Sequence, residues 1–166
     1  MKVIGIALVF FSCTVTGFLR ANSYIVSLKQ FHAFIELLYF IKHEISTYLT
    51  AQCEIFLKFK STELEKCGFL TETRKCIEKS TLSPMADALE TLKEKLNINK
   101  EAFDILLEYS KKLGSYSPEE ECKRCQRAIM ELEEIYKKQK EENLKKTSLC
   151  RSVGAMTGIG LVLLLW

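Results

Sequence analysis

Residues 117–151 read SPEEECKRCQRAIMELEEIYKKQKEENLKKTSLCR. How this stretch is read decides the fold. Ser117-Pro118-Glu119-Glu120 places an N-cap serine, a proline in the first helical position and a glutamate three residues on, which together make a capping box. No Gly or Pro follows until Gly154. The spacing therefore predicts one helix of more than thirty residues, ~50 Å long. Cys122, Cys125, Ile129, Leu132, Tyr136, Gln139 and Asn143 fall at alternating steps of three and four, the inner seam of an amphipathic helix.

Upstream, the same periodicity recurs without strand alternation or a hairpin signal. Leu28, Phe31, Phe34, Leu38, Ile41 and Ile45 mark one face of a helix from Tyr24 to Tyr48. That helix is expected to continue from the apolar segment before it, bending near Asn22-Ser23. Shorter helices are expected over 51–60, 62–66 and 69–79, the last two divided at Gly68. Ser83-Pro84 opens another, with Met85, Leu89, Leu92 and Leu96 on one face, interrupted at Asn97-Ile98-Asn99. A helix from Lys100 to about Leu113 closes at Gly114, where a left-handed C-cap is needed. Two prolines and seven glycines in 166 residues suit this arrangement.

Charge is concentrated in the middle of the chain. Residues 3–19, VIGIALVFFSCTVTGFL, carry none, and neither do residues 152–166, SVGAMTGIGLVLLLW. As helices they would span ~26 and ~22 Å, slightly short of a hydrocarbon core but sufficient with local thinning. The N-terminal segment lacks an A-x-A cleavage site, and its apolar run continues past Cys13, which fits neither a cleaved signal nor a lipidation box. A retained anchor is the favoured reading. The expected division is an N-terminal transmembrane anchor (1–21), a helical domain (22–151) and a C-terminal transmembrane anchor (152–166). Arg20, Lys29, Lys137, Lys138, Lys140, Lys145, Lys146 and Arg151 flank the inner sides, against Lys2 alone outside. The positive-inside rule then puts residues 20–151 in the cytoplasm and both termini opposite.

Setting Lys2 aside, the segment 20–151 holds 23 basic and 21 acidic residues, too balanced for a nucleic-acid surface. Seven scattered cysteines suit reduced thiols better than a disulfide framework. The C-x-x-C at Cys122 and Cys125 has two readings. A zinc site needs four ligands, yet the other candidates are Cys67, Cys76, His32 and His43, all distant in sequence. A redox pair wants a preceding strand, and Glu119, Glu120 and Glu121 disfavour a thiolate. Core packing explains both positions without further parts; a membrane-tethered thiol or zinc protein is the alternative. His32 and His43 lie three turns apart and read as polar edge residues. No phosphate loop, H-E-x-x-H or nucleophile elbow is present. No cofactor and no catalytic residue is expected. Gly154 and Gly158 form a G-x-x-x-G that allows close helix approach, with Gly5 and Gly17 of the first segment as the natural counterface.

Taken in order, MKVIGIALVFFSCTVTGF, HEIS at 43–46, LGSYS at 113–117 and the tail SVGAMTGIGLVLLLW resemble the stage III sporulation protein AB family. The matching positions are Lys2 to Gly5, Gly17-Phe18, Leu38 to Ile45, Leu113-Gly114, and Val153-Gly154 with Gly158, Val162, Leu164 and Leu165. Ser117 replaces a usual Asp and keeps the capping role. Cys122 stands for a Gln, Cys125 for an apolar residue, and Ser27 for a basic one. The resemblance implies an all-α protein, a cytoplasmic bundle of about six helices flanked by two transmembrane helices. It also implies a non-enzymatic part of the mother cell–forespore transenvelope complex, in the mother-cell membrane facing the forespore. The bundle is expected to resemble the cytoplasmic domain of inner-membrane platform proteins of type II secretion and type IV pilus systems. The implied partners are a cytoplasmic secretion-type ATPase of the same sporulation set, other membrane components and the bilayer.

Overall fold

A computed structural model describes the backbone of residues 2–165 and the side chains of residues 19, 22–146, 152 and 156. Seven helices and no strand occur among the described residues. They are α1 (Lys2–Tyr48), α2 (Gln52–Lys58), α3 (Thr62–Lys66), α4 (Phe69–Glu78), α5 (Pro84–Thr91), α6 (Lys100–Lys111) and α7 (Pro118–Leu165). The chain is all-helical. No break separates the terminal apolar segments from the helices that follow or precede them, so the expected bend at Asn22-Ser23 does not interrupt α1. The expected helix beginning at Ser83 is shorter than its apolar pattern: α5 ends at Thr91, yet Leu92 and Leu96 remain buried in the turns beyond it.

Two compact units divide the chain, Lys29–Lys137 and Met1–Leu28 with Lys138–Trp166. In the first unit, α1 contributes Phe31, Phe34, Ile35, Leu37, Leu38 and Ile41 to the core. Each sits at a step of three or four from a neighbour, which is why an uncharged stripe forms on one side. Burying such a side chain contributes about 1.5–3 kcal/mol. The seam of α7 supplies Cys125, Ile129, Leu132 and Ile135. The two helices run antiparallel here. Lys42 Nζ donates to Gln126 Oε1 at 2.6 Å, Tyr39 Oη to Glu133 Oε1 at 2.8 Å, and the rings of Phe31 and Tyr136 meet edge-on at 5.6 Å.

The short helices close the rest of this core. α4 packs on α2, α3 and α5, and α5 packs on α6. The Phe34 and Phe69 rings, 4.9 Å apart, join α1 to α4. Gly68 turns the chain between α3 and α4 at φ 82°, and Gly114 does the same between α6 and α7 at φ 82°. Both are left-handed positions that penalise a Cβ. Asn99 caps α6, its side chain accepting from the Glu101 N–H at 3.1 Å. Ser83 occupies the N-cap of α5 but makes no capping bond; its hydroxyl donates instead to the Lys111 carbonyl at 3.5 Å.

In the second unit, Gln139 Nε2 donates to Ser27 Oγ at 3.2 Å and Asn143 Nδ2 to the Tyr24 carbonyl at 3.4 Å. The polar end of the α7 seam is thus hydrogen-bonded to α1. Gly5, Gly17, Gly154 and Gly158, with the apolar segments that carry them, lie outside the described side chains. Among the described residues, one stretch, Asn22–Tyr48, is long and apolar enough to cross a membrane by length and composition. Its apolar stripe from Phe31 to Ile41 is buried in the core of the first unit.

Candidate functional site

The C-x-x-C stands near the start of α7, one turn past its cap. Ser117 precedes Pro118; its Oγ accepts from the Glu120 N–H at 3.4 Å, and its carbonyl accepts from the Glu121 N–H at 2.8 Å. The Ser117 hydroxyl donates to Glu120 Oε2 at 3.2 Å. In a full capping box that carboxylate would reach back to the Ser117 N–H; here it takes the hydroxyl proton instead.

Cys125 is fully buried between α1 and α7. Its thiol donates to the Leu38 carbonyl at 3.2 Å, a backbone acceptor already inside α1. Cys122, one turn earlier and half-buried, points its sulfur toward the Lys42 carbonyl at 3.9 Å. Both sulfurs therefore face α1 along the seam. Burial pushes the Cys125 thiol up to about 11, and the Glu121 carboxylate beside it adds to the rise. A thiolate is the form that ligates metal or attacks a disulfide, and this environment disfavours it. Among the described residues no three His, Cys, Asp or Glu side chains gather as metal ligands. The five cysteines with described side chains are free thiols.

Glu121 reads in the sequence as one of three acidic neighbours, yet it is 2% exposed. Its carboxylate takes the Gly114 N–H at 3.4 Å and lies 3.7 Å from Arg124. The carboxylate also neighbours the buried Tyr109 hydroxyl, which favours its charged form. Desolvation raises the Glu121 pKa, opposed by Arg124 and the Gly114 N–H. Arg124 also donates to the Lys112 carbonyl at 3.2 Å and stacks over Tyr116 at 4.4 Å. One arginine thus fastens the α6–α7 turn to the first turns of α7. Glu121 lies four residues before Cys125, on the seam, and that spacing was the available signal. Burial of Tyr109 likewise raises its hydroxyl pKa.

Glu44 is also buried, and its carboxylate accepts from Thr50 Oγ1 at 2.8 Å and Lys58 Nζ at 3.4 Å. It anchors the α1–α2 connection. His32 and His43 are exposed and stay apart; His32 faces Glu36 at 3.3 Å and His43 faces Thr47 at 3.4 Å.

These features define an all-helical protein in which Cys125 is buried in the helix seam and the buried carboxylates of Glu44 and Glu121 hold turns. The family model for stage III sporulation protein AB matches residues 2–166, and the chain belongs to that family. Family membership gives it a role in sporulation, and the apolar N-terminal helix fits association with a membrane. Comparison with curated proteins and with solved structures gave no match.

Proposed function

We propose that the protein is a non-enzymatic, two-anchor membrane component of the mother cell–forespore transenvelope complex. Residues 1–21 and 152–166 would be the anchors, and residues 22–151 a domain in the mother-cell cytoplasm. Its work is to couple a cytoplasmic secretion-type ATPase to the membrane channel through its surfaces. The family match along the whole chain carries this reading. The distribution of charge supports the orientation, with eight basic residues on the inner flanks and Lys2 outside. Within the Lys29–Lys137 unit, the antiparallel packing of α1 on α7 is a framework on which a partner can be held.

A reporter inserted within residues 60–70 tests the arrangement. Cytoplasmic activity is expected at that position. Activity on the opposite side of the membrane would refute it.

A further inference from the structure

In the Lys29–Lys137 unit, a shallow depression of about 420 Å³ lies between α1 and α7, lined by Lys42, Lys123 and Arg127. Gln126 and Cys122 complete the lining, and no carboxylate is among it. Lys42 is half-buried, and its ammonium is fixed by a neutral partner, Gln126 Oε1, at 2.6 Å. That bond leaves the Gln126 amide NH₂ as a further donor. Lys123 and Arg127 are exposed and have no ion pair or hydrogen bond among the described residues. The other two arginines with described side chains are both engaged. Arg74 meets Glu65 and the Phe59 carbonyl, and Arg124 meets Glu121 and the Lys112 carbonyl. The depression thus presents donors and positive charge, whose complement is a group that only accepts, a carboxylate or a phosphate.

The surroundings select a short acidic segment of a protein. Lys123 and Arg127 stand four residues apart on α7, about 6 Å along its axis. Two carboxylates one turn apart on a partner helix match that spacing, whereas a single small anion in so open a place keeps most of its water. The positive strip also ends abruptly. Glu119 and Glu120 lie one turn before Lys123, and Glu131 lies one turn after Arg127. These repel a long polyanion or an anionic bilayer surface but leave room for two or three carboxylates. An apolar flank adjoins the cations. Lys42 bonds to Gln126 and Tyr39 to Glu133, and Met130 stands between Gln126 and Glu133 on the same face of α7. Tyr39 is 45% exposed and Met130 60%. Tyr, Met and Arg are side chains enriched at protein interfaces.

We propose that this face of α1 and α7 docks an acidic, amphipathic helix of a partner protein. Its carboxylates, one turn apart, meet Lys123 and Arg127 with Lys42 beside them. An apolar side chain of the same helix covers Met130 and Tyr39.

The test is fluorescence anisotropy on the full-length protein in neutral detergent micelles at low salt. The probe is a labelled alanine-based helical peptide with glutamates at i and i+4 and a leucine one turn further on. Saturable binding is expected, weakened at least about tenfold by K123E/R127E or by glutamine in place of the peptide's glutamates. K123Q/R127Q, which adds no like charge to α7, should weaken binding in the same direction. K123E/R127E should also gain binding to the peptide with lysines for glutamates, a swap that a folding defect cannot produce. Lys95→Gln, at an exposed position outside the depression, should leave affinity unchanged within about twofold. No binding at millimolar peptide, equal binding of the glutamine peptide, or unaltered binding by the charge variants would overturn the proposal. Inorganic phosphate that displaces the peptide better than chloride at equal ionic strength would assign a small anion to the site and overturn it. Displacement by micelles doped with phosphatidylglycerol would assign the membrane and overturn it equally. The readout uses the purified chain alone, so it stands or falls separately from ATPase coupling.

Discussion

The thiol of Cys125 donates to the Leu38 carbonyl at 3.2 Å, across the interface of α1 and α7. This contact turns a motif with the spacing of a metal or redox site into part of a helix seam. The sulfur is buried, its proton is held by a backbone oxygen, and its pKa is pushed up to about 11.

Thiol reactivity follows directly. At pH 8 a thiol with a pKa near 11 is ~0.1% thiolate. Iodoacetamide is expected to label exposed Cys53 quickly and to leave Cys125 intact in the folded protein. Mass spectrometry of the labelled peptides reads this; early labelling of Cys125 would contradict the seam assignment. The double variant Cys122→Ala/Cys125→Val is expected to sporulate normally and to hold the same metal content as the wild type. Metal lost with the cysteines would favour the thiol or zinc alternative.

Glu121 makes stability depend on pH. Its folded-state pKa is raised, so between the ordinary carboxylate value and the raised one the native state binds more protons than the unfolded state. Stability from this group is present below that window and is lost as pH rises through it. Glu121→Gln removes the dependence. Its melting temperature relative to the wild type should rise from pH 4 to pH 7. A constant difference would show that the carboxylate is not desolvated.

Backbone geometry gives a prediction without side-chain contacts. Nothing lies within 4 Å of the position a Cβ would take on Gly68, so Gly68→Ala costs only the left-handed conformation, about 1 kcal/mol. At Gly114 the nearest atom would be Gln52 Oε1 at 3.5 Å, an ordinary contact, and a similar loss is expected. Urea unfolding of both variants measures it. A loss beyond about 3 kcal/mol would mean that the turn has another role.

Core and surface positions should separate sharply. Phe34 is fully buried and stacked edge-on against Phe69, so Phe34→Ala is expected to cost about 3–5 kcal/mol. Met130, on the outer face of α7, is expected to change stability by less than about 0.5 kcal/mol when cut to Ala. Equal losses at the two sites would place the wrong face of α7 against α1.

Helix existence was legible because it depends on local patterns: the stripe from Phe31 to Ile45, the glycines at 68 and 114, the cap at Ser117. The end of α5 was not, because Leu92 and Leu96 keep a helical spacing while lying in turns that tertiary burial stabilises. Pairings between distant residues were also hidden. Gln30 accepts from the Asn97 N–H at 2.7 Å across 67 positions, and no local signal marks either partner. Glu121 reads as surface charge in a run of three glutamates until its seam position is combined with the closeness of the Gly114 turn.

The coupling role is tested most directly by photocrosslinking in sporulating cells, from a light-activated residue placed singly at exposed positions across 60–100. The account predicts capture of the cytoplasmic secretion-type ATPase of the same sporulation set from at least one face of that region, and no capture from buried positions such as Leu89. Absence of the ATPase from every exposed position, with the protein folded and membrane-bound, would contradict it.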